Sequence, residues 1–522
     1  MGFSTIDYLV VLFYLAGVTV FGLLLSGRQK TAADYFLGGK NIPWWAVLFS
    51  VVATETSTLT FISIPAVAYG GDLTFLQITF GYILGRTLVA LFFLPKYEQG
   101  KLETAYHFLG RRFGPGLRTA AGATFMVTRL LADGVRLFAS AIPIALILKL
   151  AGLRAPDIQV YFLSIVLIAA VTFLYTYLGG IRAVVWMDVV QMTVYLGGAA
   201  LAVFLLLSRL PEGLSGALET AGQAGKLRLI DFGFHLPLRE FFAQPYTLLT
   251  ALFGGAVFSV ASHGTDQLIV QRLLSTRSLR SGRKALFGSG VVVLLQFSLF
   301  LLIGLLLYAF YRGVSPGALG LNSADEVFAL FIVKEIPAGI SGLIIAAILA
   351  AAMSTLSSSI NSLASSTLYD LYKPLFRKSP APGSELRLSR IFSLAWGVVI
   401  AGSALGFAVL QIQSGGSRPA VVELGLGIAS YTYGGLLGVF LLGLFFRRTR
   451  QKDALFGFFC GLTALMFLVD GPLNALLPGE GLSIAWPLYT VVGSAIVIAA
   501  ASLSAAFSRT KPTKSRSIKS GR

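Results

Sequence analysis

The chain of 522 residues holds one cysteine, three histidines and few charges, with Asp, Glu, Lys and Arg together at 12%. A lone Cys460 excludes an internal disulfide. Three histidines and one cysteine give little from which to build a metal cluster or an activated nucleophile. A membrane-embedded enzyme is therefore disfavoured. Soluble domains carry roughly 25% charged residues, so charge this sparse excludes an ordinary water-soluble domain.

Apolar residues stand in place of charge. They make up 56% of the chain, and the mean hydropathy is +0.79. They fall in runs of about 18 to 28, long enough to cross a hydrocarbon core of roughly 30 Å at 1.5 Å per residue. Backbone polar groups in lipid must be satisfied within their own segment, so these runs are expected as helices. The expectation is an all-α integral membrane protein with about thirteen spans, at roughly 5–25, 44–69, 73–95, 119–148, 157–178, 184–208, 246–270, 285–311, 338–371, 391–411, 422–446, 453–475 and 484–508. Residues 1–508 read as a single membrane domain with its core at about 44–447, and 509–522 as a basic tail.

A net charge of +18 can signal nucleic-acid binding, but the positions of the charges argue for the bilayer as partner. Of 41 Lys and Arg, 29 follow odd-numbered spans and nine follow even-numbered ones. The positive-inside rule puts the odd segments in the cytoplasm, the amino terminus outside and the carboxyl terminus inside, in a plasma or inner membrane. The first run carries Asp7 at its start and is followed by Arg28 and Lys30, which suits a retained span rather than a signal peptide.

Span 2 is polar from Thr54 to Thr60, with Glu55 inside that stretch and Pro65 beyond it. A carboxylate near mid-membrane is costly unless paired or hydrated. Pro65 removes a backbone donor. A locally unwound helix is expected, whose freed carbonyls can hold a cation; a Ser/Thr packing seam is the alternative. Span 7 repeats the pattern with Gly254-Gly255, Ser259, Ser262, His263-Gly264-Thr265 and Asp266-Gln267. His263 alone reads as a hydrogen-bonded packing residue. Spans 2 and 7 are five apart, so two five-helix units starting there run in opposite directions, as in an inverted repeat. In span 9, Ser354, Ser357, Ser358, Asn361, Ser362 and Ser365 share one helical face, bordered by Thr355. Hydroxyls there suit a small hard cation or close helix packing, and spacing alone leaves both open.

Five strings resemble the sodium:solute symporter family: Asp34 to Lys40 running into Pro43-Trp44-Trp45, Tyr177 to Gln191 with its Gly-Gly-Ile-Arg-Ala-Val-Val-Trp core, Asp266-Gln267 with Gln271-Arg272, Leu368 to Lys373, and Tyr431 to Gly443. The resemblance covers about 30–480. It implies the leucine-transporter fold, a 5+5 inverted repeat, with one extra helix before the core and two after it. It also implies co-transported Na+ at a site formed by Ala53, Thr56, Ala351, Ser354 and Thr355. A second sodium is implied at Ser357, Ser358 and Asp188.

Span 4 places Arg129, Asp133 and Arg136 on one face, a formal excess of one positive charge. A substrate carboxylate can supply the missing charge, or Glu55 can close a structural network. By resemblance to the sialic acid branch, Arg136 and Thr60 contact substrate, and Ser57, Asp133 and Glu55 are further candidates. The functional expectation is sodium-coupled symport of a small carboxylate-bearing solute: an organic acid, amino acid or sugar acid. A proton-coupled or passive permease, or a membrane sensor of the same fold, are the rivals.

Overall fold

A computed structural model describes residues 4–25, 29–100, 102–150, 153–321, 324–376, 382–413, 421–469 and 483–507. The expected basic tail lies outside the described residues. The described fold is helical: α1 (Thr5–Leu25), α2 (Trp44–Glu55), α3 (Thr58–Gly70), α4 (Gln77–Leu88), α5 (Pro115–Leu150), α6 (Asp157–Arg209), α7 (Gly255–Gly264), α8 (Gln267–Leu274), α9 (Leu279–Phe310), α10 (Ile340–Ser366), α11 (Pro382–Gln413), α12 (Val421–Phe445), α13 (Gln451–Leu468) and α14 (Trp486–Phe507). Short helices and π-turns join them.

Among the described residues, eight helices are long and apolar enough to cross a membrane, or up to nine if the bent α2–α3 pair is one span. Part of the difference from the expected thirteen is physical. Helix α6 is 53 residues long and loses helical geometry at Gly180, so it holds two expected spans.

Both expected breaks are present. Helix α2 ends at Glu55, Thr56 and Ser57 are extended, and α3 sets off at 67° to α2. Pro65 does not make this break; it lies inside α3. The turn is made at Ser57 and Thr60, which form a reciprocal capping box and start a new helix. In the second break, Thr265 and Asp266 leave helical geometry between α7 and α8, and the Asp266 carboxylate caps α8 by accepting from Leu268 N at 2.9 Å.

Helix α10 is the buried axis. Its face of hydroxyls is wholly buried, and it packs chiefly on α6, with further contacts to α1, α5 and α11. Asp7 of α1 fastens its start, accepting from Gly339 N, Ser341 Oγ and Gly342 N at 2.7 to 2.8 Å. Helices α12, α13 and α14 pack on one another.

Candidate cation and substrate site

A continuous helix would give the Ser57 N–H to Ala53 O. Here it goes to Thr60 Oγ1 at 3.3 Å, so the break removes the usual helical donor from the Ala53 carbonyl. Helix α10 faces this point. Ala53 and Thr56 from the break, with Ala350, Ala351 and Ser354 from α10 and Gln191, Met192 and Tyr195 from α6, line one cavity of about 170 Å³ of empty space. Four of the five expected sodium ligands thus meet around one space. The fifth, Thr355, does not line it; its hydroxyl donates to Ala351 O at 3.1 Å. Ser354 Oγ donates to Asp188 Oδ1 at 2.6 Å, which leaves its lone pairs as acceptors.

The three residues expected at a second sodium are arranged differently. Asp188 accepts from Ser50 Oγ at 2.5 Å and lies 3.3 Å from Arg272 Nη2. The same guanidinium donates to Ser358 Oγ and, through Nε, to Ser50 Oγ at 2.8 Å. Ser357 turns to its own helix, donating to Ser354 O at 3.0 Å. A guanidinium therefore bridges Asp188 and Ser358, and a second cation there requires it to yield. Arg272 and Ser50 were not singled out from sequence as site residues. Only the recurrence of Arg272 in a family string marks it.

The charges of α5 are also compensated from within. Asp133 lies 3.5 Å from Arg129 and 3.7 Å from Arg136, and takes a 2.6 Å hydrogen bond from Ser359 Oγ. Arg129 is clamped on Asp266, with Tyr433 joining both. Asp266 thus supplies the charge that the sequence left missing, so the formal excess no longer argues for a substrate carboxylate. Arg136 remains half-buried and, among the described residues, has only the long contact to Asp133.

Glu55 does not close that network. One guanidinium nitrogen of Arg86 lies 2.6 Å from both Glu55 oxygens, and Arg86 also donates to Ser289 Oγ at 2.7 Å. His263 Nε2 stands 3.6 Å from Glu55, while Nδ1 meets Ser259 O at 3.1 Å and Ser262 Oγ at 2.8 Å. Arg86 is fully buried and paired rather than reaching for the membrane surface. Glu55 and Thr60 keep partial exposure, whereas Ser57 is buried.

Two interrupted helices beside a hydroxyl-faced one, in an all-helical fold of apolar spans, define a secondary transporter. The chain belongs to the sodium:solute symporter family, whose profile it matches over residues 35–461. It is 30% identical over 514 residues to the sodium/sialic acid symporter SiaT of Proteus mirabilis, covering 96% of this chain and 95% of that one. It is 30% identical to the human sodium/iodide cotransporter, covering 90% and 70%. It is 29% identical to the human sodium-coupled monocarboxylate transporter 2, covering 93% and 75%. A solved structure of a Na+-coupled sialic acid symporter, substrate-bound and outward-open, superposes with a TM-score of 0.81 at 29% identity, over 97% of this chain and 98% of that one. The fold is that of the leucine transporter, the relatives are transporters rather than enzymes, and the activity is sodium-coupled symport across a membrane.

Proposed function

We propose that the solute carried is a small organic anion bearing a carboxylate, moved with sodium by alternating access. One observation carries the sodium part of this reading: the broken end of α2 and the hydroxyl face of α10 open on the same cavity. Sodium between Ala53, Thr56, Ala351, Ser354 and Thr355 ties the break to α10. Binding there favours the conformation in which the two are close, because a ligand shifts an equilibrium only by its differential affinity. The membrane potential then contributes about 2.3 kcal/mol per charge per 100 mV.

The carboxylate part rests on Arg136, whose planar fork suits bidentate recognition. Two relatives named for sialic acid and for monocarboxylates, both carboxylate-bearing solutes, support it. Thr60 and Ser57 at the break, with Asp133 orienting Arg136, complete the proposed substrate contacts. Glu55 is a further candidate contact beside the break, with both its oxygens taken up by Arg86; that pairing weighs against its carrying a proton. The termini lie as the charge bias directs, the amino end outside and the carboxyl end in the cytoplasm.

The test is uptake into proteoliposomes. Ser354→Ala with Thr355→Ala is expected to abolish stimulation by sodium while thermal unfolding stays cooperative. Undiminished sodium dependence in the folded double variant refutes the site.

A further inference from the structure

Two strings marked in the sequence have no part in the proposed transport site: the Gly-Gly pair at Gly38-Gly39 and the Gly-Gly-Ile-Arg-Ala-Val-Val-Trp string at Gly179 to Trp186. They meet at a second pocket. It is lined by Gly38, Asn41, Pro43, Arg182, Trp186 and Arg277, has a volume of about 190 Å³, and shares no residue with the cation cavity. That space is smaller than the roughly 300–1,000 Å³ of whole small-molecule sites and suits a single headgroup.

Glycine lets the segments converge. Gly38, Gly39 and Gly180 all have positive φ, at 59°, 67° and 55°. A Cβ on Gly180 would stand 2.5 Å from the Tyr35 carbonyl oxygen, and one on Gly38 would press on Ile42 and Ile181. Ile42 N donates to Ser275 O at 3.2 Å, which draws in the loop carrying Arg277. Three segments distant in sequence thus form one wall.

The wall is basic and uncompensated. Arg182 is exposed and has no ion-pair or hydrogen-bond partner among the described residues, while Arg277 reaches only Asn41 O, at 3.4 Å through Nε. Among the described residues, no carboxylate lines the pocket. Two guanidiniums opening on one space call for an anion, and their forks match phosphate oxygens. The surroundings say where that phosphate comes from. Trp186 packs edge-on against Trp45 at 5.3 Å, Trp44 and Trp45 are 40% and 41% exposed, and Lys284 lies over the Trp44 ring at 5.7 Å. Exposed tryptophans in a spanning protein mark the level of the lipid headgroups, and Arg182 and Arg277 both follow odd-numbered spans, on the basic face. Basic pockets between helices at that level hold anionic headgroups.

We infer that this pocket seats the phosphate of an anionic phospholipid between Arg182 and Arg277. The site joins the lead-in to α2, the middle of α6 and the α8–α9 loop, so an occupying lipid braces three elements at once.

The experiment compares full-length protein in vesicles of phosphatidylcholine alone and of phosphatidylcholine mixed equally with phosphatidylglycerol. Lipid retained after extraction is counted by native mass spectrometry, and the thermal midpoint is measured in each vesicle. The wild type is expected to retain phosphatidylglycerol selectively and to unfold at higher temperature in the mixture. Arg182→Gln with Arg277→Gln is expected to weaken that preference about thirty-fold, and each single change about five-fold. A control with equal charge loss on the same face, Arg448→Gln with Lys452→Gln, is expected to leave it unchanged. An equal loss in the control, or an unchanged preference in the Arg182/Arg277 variant, overturns the site. Inorganic phosphate raising the midpoint as much in pure phosphatidylcholine overturns the lipid as its source. The glutamine pair must match the wild-type midpoint in phosphatidylcholine; if it does not fold, the single variants decide.

Discussion

Arg129 and Arg136 sit seven residues apart on α5 and make opposite demands on the protein. Arg129 compensates the buried Asp266, so Arg129→Ala is expected to cost about 3–5 kcal/mol, the usual result of orphaning a buried charge. A large fall in thermal midpoint checks this. Arg136 has one long contact at 3.7 Å. Its loss is expected to change stability by less than about 1 kcal/mol and to raise KM for a carboxylate substrate tenfold or more. An Arg136→Ala protein with unaltered KM sinks the substrate assignment. Outside the membrane, His107 is pushed down to about 4, first by burial and then by Arg118, Arg111 and Lys373. The unfolded chain takes up this proton below about 6.5 and the folded one resists it, so stability is lost as pH falls from about 6.5 towards 4, by at most about 1.4 kcal/mol per unit. His107→Gln is expected to flatten that part of the stability profile in acid unfolding curves. Spacing on one helix made Asp133 readable as a partner of both arginines. It could not reveal Asp266, 137 residues away from Arg129, or Arg86 beside Glu55, because a pairing between helices follows from packing and not from periodicity.

At the level of elements, the polar stretch Thr54–Thr60 announced a break, and α2 and α3 part at Thr56 and Ser57. Pro65 was misleading as a local sign, since a proline is tolerated within a membrane helix packed among others. Helix α9 packs on α3 here. Gly304 lets its backbone lie against Pro65, and a Cβ there would run into the Pro65 carbonyl oxygen. Gly304→Ala is therefore expected to destabilise by about 1–3 kcal/mol through overpacking, seen as a lower midpoint with sodium affinity impaired. The serine stripe on α10 was legible as a face but not as a cation face. What distinguishes the two is the facing residue, and only the fold puts Ala53 and Thr56 opposite Ala351 and Ser354. Arg272 shows the same limit: nothing in its neighbours foretells that it bridges Asp188 and Ser358.

For the molecule as a whole, orientation is the property that charge bias expresses most directly. In a Cys460→Ser background, Gly225→Cys is expected to react with an impermeant maleimide in intact cells, and Arg387→Cys only after lysis. The reverse pattern inverts the topology. The fold class was readable because apolar length and interrupted spans are properties of local sequence. The number of spans was less so, since a break such as Gly180 inside α6 changes the count without changing composition. The buried ionic groups carry a further consequence. Glu55 with Arg86, Asp266 with Arg129, Asp133 with Arg136, Asp188 with Arg272 and Asp370 with Arg118 are each matched one for one. At these five pairs the carrier presents the electric field with dipoles rather than lone charges. If voltage acts mainly on the cargo, capacitive currents on a solid-supported membrane are expected to be much larger when sodium is supplied than for the empty form.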